Sequence, residues 1–247
     1  MAAQPQRSSG RPRRRRARGS ITPEEVLRGA FELCVSDSVD ALSMPRLAQH
    51  LDVGVTSIYW YFKSKEDLLD ALTEEAFRRF YAQMPPLVGR EWGDVLREFF
   101  RNFRSILSQD DALCDLIVMR SGNYTDSTAA LTWGRIEEVL EVLVEAGFTE
   151  ESAAYGYFTL SVYTRGSVFI QRMLRGHRLD LADETHKRTT VAAGMPILSR
   201  ELPKHSWYMV SDDDFEFGLE NNIRGLDSLL AADRARTLEP ATADPAT

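Results

Sequence analysis

The sequence is short of cysteine and of long apolar runs, and each shortage excludes a class of protein. Its two cysteines, Cys34 and Cys114, stand 80 residues apart with no CxxC pair and no cysteine–histidine cluster. That excludes a disulfide scaffold and a structural zinc site, and it fits a reducing cytosol. No stretch approaches the roughly 18 apolar residues of a membrane span. The N-terminus is basic but has no apolar segment behind it, so it does not read as a signal peptide. A cytoplasmic protein with no membrane partner is expected. There is no GxSxG, no glycine-rich phosphate loop, no HExxH and no serine–histidine–aspartate set. No enzyme is expected, and no catalytic residue, metal ligand or cofactor is assigned. His177, His186 and His205 lie near Asp180, Asp183 and Glu184, but their spacing matches no metal site, and they read as surface residues. Alternating strand patterns and internal repeats are also missing.

What is there is apolar enough to fold: 247 residues, 43% hydrophobic, suffice for one large domain or a small one fused to a larger. Of the 30 basic residues only four are lysine. The net charge of -7 hides an asymmetry. Residues 1–20 hold seven arginines and no acid, residues 21–83 hold six basic and eleven acidic residues, and the remainder is acidic again. An acidic body with a concentrated basic arm points to a polyanion partner for the arm, or else to a solvated tail. The arm (1–20) and the tail (233–247) are expected to be disordered.

The body reads as all-α. Thr22-Pro23-Glu24-Glu25 is a capping box with proline at the first helical position, opening a helix that ends at Ser36-Asp37-Ser38. A short helix from about Ser43 carries Leu47, Ala48 and Leu51. Asp52-Val53-Gly54 is a tight turn, and a third helix spans Val55 to Phe62. Ser64-Lys65-Glu66-Asp67 caps a longer helix to Met84, which Pro85-Pro86 stops. That proline pair is the expected boundary between an N-terminal unit (21–84) and a larger helical one (85–232). In the larger unit, helices are expected over 94–109, 111–120, 126–146, 149–174 and 212–232, with 176–210 irregular.

Two short helices joined by a tight turn and braced by a third make a helix-turn-helix, whose second helix lies in the DNA major groove. Ile58 and Phe62 share one face and should pack on Leu47 and Leu51. Val55, Thr56 and Ser57 then stand at the reading end, although Thr56 and Ser57 could equally serve as helix caps. Tyr59 and Tyr61 can donate to phosphates, and Lys63 and Lys65 sit at the next junction for the same use. The reading end has no Arg, Asn or Gln, so bidentate guanine or adenine contacts from it are not expected. Val55 and Thr56 suit thymine methyls. The arm, with Arg13, Arg14, Arg15 and Arg16, could enter a minor groove.

The stretch Leu47-Ala48-Gln49-His50-Leu51, the turn, and then Ile58-Tyr59-Trp60-Tyr61-Phe62-Lys63-Ser64-Lys65-Glu66-Asp67-Leu68-Leu69 resembles the DNA-binding domain of the TetR/AcrR family of bacterial transcriptional regulators. Tyr59-Trp60 and Leu68-Leu69-Asp70-Ala71-Leu72 look closest to its tetracycline-repressor branch. The resemblance implies an all-helical homodimer, with one DNA-binding head per subunit and a C-terminal domain holding a small-molecule pocket and the dimer interface. It adds Trp60, Ser43 and Arg46 to the DNA-contacting candidates. Two departures stand out. Asp52 occupies the turn position where relatives usually have glycine, as if the glycine had moved to Gly54. Pro45 takes a place where some relatives carry a DNA-contacting side chain, for which Arg46 could substitute.

In the C-terminal part, Tyr155, Phe158, Val162, Phe169 and Met173 recur at helical spacing, with Arg165 inside the stripe. They are either a core stripe with a snorkelling arginine or the wall of a largely apolar pocket where Arg165 meets an anionic or carbonyl-bearing ligand. Phe99, Phe103, Met119, Tyr124 and Trp133 are further wall candidates. On the last helix Phe215, Leu219, Ile223, Leu226 and Leu230 line one face, with Gly218, Asn222 and Gly225 beside it. The family pairs its last two long helices across a two-fold axis, which makes 149–174 and 212–232 the expected dimer helices. The other reading of the same faces is packing within one chain.

The expected function is a nucleoid-associated repressor of a palindromic operator, released by a small-molecule effector. An activator or ligand-independent regulator is the alternative within the class. A helical binding protein or enzyme with a vestigial helix-turn-helix is the alternative outside it.

Overall fold

A computed structural model describes residues 21–87, 91–120, 124–176, 192–201 and 211–238. Arg13, Arg14, Arg15 and Arg16, most of 176–210 and the tail beyond Leu238 lie outside these residues. Among the described residues every regular element is helical. The chain divides into two compact units, with the division between Leu72 and Thr73.

The first unit contains α1 (Pro23–Ser36), α2 (Met44–His50), α3 (Val55–Tyr61) and the start of α4 (Lys65–Gln83). The Thr22 hydroxyl accepts from the Glu25 amide and the Glu25 carboxylate from the Thr22 amide, which closes the capping box. Val26, Ala30 and Phe31 from α1, Leu47 and Ala48 from α2, Ile58 from α3 and Leu68 and Leu72 from α4 form the core. Gly29 allows α1 to approach the end of α2: a Cβ there would fall 2.5 Å from Leu51 Cδ2.

The turn between α2 and α3 differs from the expected displacement of the glycine. Asp52 itself takes the left-handed conformation, at φ 54°. Gly54 is extended and serves as the N-cap of α3 without a side-chain hydrogen bond. Asp tolerates the left-handed region better than most residues, so the turn keeps its shape with the glycine's usual place filled.

The second unit holds the rest of α4, α5 (Trp92–Gln109), α6 (Asp111–Cys114), α7 (Asp126–Glu145), α8 (Glu150–Gly176), a short α9 (Leu198–Glu201) and α10 (Asp212–Leu238). Residues 111–120 do not form the single short helix expected. After Cys114 the chain continues as a π turn over Asp115–Met119. There Asp115 accepts two hydrogen bonds from the Arg172 guanidinium, both at 2.8 Å. Burial, and then the Asp115 carboxylate, push the Cys114 thiol up to about 12, so it stays protonated. The last helix runs six residues past the expected end, to Leu238. The fully buried Asp233 belongs to this extension and accepts from the Thr149 amide at the start of α8.

Helix α8 packs against α5, α7 and α10. Its inward residues are Ala153, Tyr157, Leu160, Ser161, Thr164 and Val168, mostly small or of middling size. Close approach on several sides selects small side chains and sends large ones outward.

Candidate functional site

The first candidate surface is built on α3. Ile58 is fully buried where α3 meets α2. That anchor turns Val55, Thr56, Tyr59 and Trp60 to the solvent, Trp60 with 76% of its surface exposed. Ser57 is half-buried and Tyr61 is exposed at its rim. Val55 and Thr56 of the expected reading end are therefore open to solvent, and Ser57 only in part.

Four basic side chains border this surface, and each has an intramolecular partner. Arg46 pairs with Asp37 at 2.5 Å, and His50 Nε2 lies 3.0 Å from Glu32. Lys63 Nζ donates to the Trp60 carbonyl at 3.1 Å and lies 5.8 Å from the Trp60 ring. Lys65 Nζ reaches the Asp40 carbonyl at 3.5 Å. Ser43 caps α2 by accepting from the Arg46 amide. Exposed ion pairs of this kind contribute about 0–1 kcal/mol, so phosphate oxygens can replace the carboxylates at small cost. Tyr61, expected to donate to phosphate, donates to the Ile21 carbonyl at 2.8 Å. This ties the C-terminal end of α3 to the residue that follows the arginine arm, a contact nothing in the local pattern signalled.

The second candidate site lies inside the second unit. Of the expected pocket walls, Phe99 and Phe103 are buried, and Tyr124 is half-buried and edge-on to Phe77 at 5.2 Å. The other expected walls point away. Met119, Trp133, Tyr155, Phe158, Val162 and Phe169 are exposed, Val162 by 71% and Trp133 by 68%. The stripe on α8 thus lies on its outer face, displaced around the helix from the small residues that pack inward. Arg165 sits at the edge between the two faces, half-buried, its guanidinium 5.4 Å from the Phe103 ring. Sequence reasoning missed the rings that α4 and α8 supply: Phe77, Phe80, Tyr81 and Tyr157. Phe80 packs edge-on to Phe103 at 4.9 Å. The i, i+3, i+4 spacing of Phe77, Phe80 and Tyr81 in the predicted 64–84 helix carried that signal. Burial raises the pKa of both Tyr81 and Tyr157, so both phenols stay protonated.

The expected dimer residues need correction. Phe215, Leu219, Ile223 and Leu226 are buried within the chain itself, because α10 packs that face on α8 and α5. Gly218 and Asn222 are half-buried beside them. Gly218 admits Tyr163: a Cβ would fall 2.1 Å from its hydroxyl, which donates to the Asp214 and Phe215 carbonyls. Only Gly225 of the expected set is exposed, and no atom lies within 4 Å of where its Cβ would be. The outward row of α10 is instead Phe217, Asn221, Arg224, Ser228 and Ala235.

Residues 26–72 match the family described as "Bacterial regulatory proteins, tetR family", and residues 85–230 match "Tetracyclin repressor-like, C-terminal domain". The chain belongs to the TetR family. The HTH-type transcriptional repressor Rv1353c of Mycobacterium tuberculosis is 39% identical over 212 residues, covering 84% of this chain and 81% of that protein. The tetracycline repressor protein class D of Escherichia coli is 31% identical, covering 86% and 92%. Among solved structures, apo ActR from Streptomyces coelicolor shares the fold at a TM-score of 0.68 and 24% identity, covering 87% of this chain and 99% of that one. In TetR terms, the first unit is the DNA-binding head and the second the repressor-like C-terminal domain. TetR proteins are transcriptional regulators that bind DNA, form dimers and bind small-molecule ligands. Among the described residues no helix is long and apolar enough to cross a membrane, and no group of histidine, cysteine and carboxylate side chains could hold a metal ion.

Proposed function

We propose that the chain is a cytoplasmic, nucleoid-associated repressor that grips a palindromic operator as a homodimer and releases it when an effector fills the second unit. The observation that carries this reading is the outward face of α3, where Val55, Thr56, Tyr59 and Trp60 stand free with Arg46, Lys63 and Lys65 around them. Val55 and Thr56 meet thymine methyls, while Tyr59 and the lysines hold phosphates. The arm arginines Arg13, Arg14, Arg15 and Arg16 add counterion-release affinity to a head whose residues 21–83 carry more acid than base.

Two subunits join through α8 and α10, which pack on each other, with α8 turning a row of uncharged side chains outward. A four-helix bundle across the two-fold sets the recognition helices about 34 Å apart, one turn of duplex. Helix α4 couples effector to operator: Leu68 and Leu72 belong to the core of the first unit, while Phe77 and Phe80 belong to that of the second. An effector that favours one position of α4 over another changes the spacing of the heads.

The test is a genome-wide pull-down of DNA fragments by purified protein at near-physiological salt, with and without residues 1–20. A short palindrome recovered by both forms is expected, with weaker yield from the shorter one. No enriched sequence with either form overturns the reading.

A further inference from the structure

The polar side chains on the surface of the first unit differ in how they are occupied. The basic ones are each engaged: Arg46 with Asp37, His50 with Glu32, Lys63 with the Trp60 carbonyl and Lys65 with that of Asp40. Gln49 stands apart from them. It is exposed, and among the described residues its side-chain amide has no hydrogen-bond partner. The exposed Thr56 hydroxyl has none either.

Both residues line a cleft of about 600 Å³ between α2 and the start of α3. Pro45, Ala48, Gln49 and Asp52 recur at i, i+3, i+4 and i+7, so one side of α2 and the turn after it form one wall. Val55 and Thr56 form the other. The fully buried Leu47 fixes the roll of α2, and the fully buried Ile58 fixes that of α3, so the two walls are held against each other by the core. No basic side chain lines the cleft, and its one charged side chain, Asp52, has the wrong sign for phosphate. Arg46, next to Pro45 in the chain, turns to Asp37 instead. What the cleft offers is an amide, a hydroxyl and apolar carbon, which is the chemistry that meets base edges rather than the DNA backbone.

A primary amide matches one base edge in the major groove. Its carbonyl accepts from adenine N6 while its NH2 donates to adenine N7. Guanine presents two acceptors there and cytosine only a donor, so neither uses both ends of the amide. We propose that Gln49 is a specificity-determining residue: it reads one adenine in each half of the operator, beside a thymine whose methyl meets Val55 and Thr56. Helix α2 thereby supplies the bidentate contact that α3, with no Arg, Asn or Gln, cannot make. This inference deepens the operator-binding reading proposed above and rests on it.

The test is selection from a duplex library with a random centre, using the purified full chain and its Gln49→Ala and Gln49→Arg variants. The parent chain is expected to enrich a palindrome with an adenine beside a thymine in each half. Gln49→Ala should reduce the preference for that adenine about five-fold or more and leave the other positions as they were. Gln49→Arg should move the preference to guanine, whose O6 and N7 suit a guanidinium. A second measurement needs no folded variant. Replacing that adenine with 7-deazaadenine keeps the base pair and removes the N7 acceptor. It should weaken the parent chain about five-fold or more in anisotropy, and Gln49→Ala not at all. The proposal is overturned if Gln49→Ala changes no base preference, if it weakens all sequences alike, or if the parent chain tolerates 7-deazaadenine. An enriched palindrome that is indifferent to Gln49 overturns this inference alone. A parent chain that enriches no sequence overturns the operator-binding reading, and this inference with it.

Discussion

Helices α3 and α8 both turn aromatic and aliphatic side chains to the solvent, and they do so in different company. On α3, the aromatic residues Tyr59, Trp60 and Tyr61 carry polar tips, and Arg46, Lys63 and Lys65 border them. On α8, the row Tyr155, Phe158, Val162, Phe169 and Met173 contains no charge. A surface that mixes ring faces with cations suits a polyanion, which needs both stacking or methyl contact and charge neutralisation. A long uncharged row suits another protein surface, where charge is depleted at the centre. Exposed apolar area alone does not name a partner; the residues at its edge do.

Three substitutions break or sharpen that comparison. The largest effect is expected from Val162→Glu, which puts a carboxylate in the middle of the α8 row. Burying it unpaired at a subunit interface costs about 3–5 kcal/mol. The chain should sediment as a monomer and its operator affinity should fall about 100-fold or more. A variant that stays dimeric shows that the α8 row faces something else.

Tyr59→Ala acts on the other surface. Loss of a phosphate contact on each head should weaken operator binding about ten-fold, read by anisotropy, while sedimentation still reports a dimer. Dissociation of this variant would erase the distinction between the two surfaces.

The smallest effect is expected from Asp52→Gly. Relief of a left-handed residue should raise the stability of the first unit by about 0.5–1 kcal/mol in urea unfolding. Operator affinity should hold, since the side chain at 52 shapes the turn and α3 keeps its place. A drop in affinity would instead assign the Asp52 carboxylate a role at the reading surface.

The first unit was legible in the sequence almost residue by residue, because its signals are local. The capping box at Thr22 and Glu25 and the Ile58–Phe62 spacing each involve residues within four positions of one another. Their hydrogen bonds form wherever those residues stand. The turn was harder, since left-handed backbone is glycine's by default and Asp52 adopts it only because α2 and α3 pack on either side.

The second unit was legible as helices and illegible as faces. Periodicity located α8 and α10 to within a few residues, yet it placed the large side chains of α8 inward and left open whether the apolar row of α10 meets a partner subunit or packs within the chain. The structure turns the α8 residues outward and buries the α10 row against α8 and α5. A helix with an apolar row on more than one side can present either to the core. The choice depends on how closely its neighbours approach, and three helices crowding α8 leave room for Ser161 and Thr164 where Phe158 and Val162 would not fit. The amino-acid sequence by itself determined that this chain is helical and that it carries a helix-turn-helix, because these rest on spacings of three and four residues. Only the tertiary structure decided which residues line the interior and which large side chains stand exposed. Those properties depend on side chains up to a hundred or more positions apart, as in the pairing of Arg104 with Asp212.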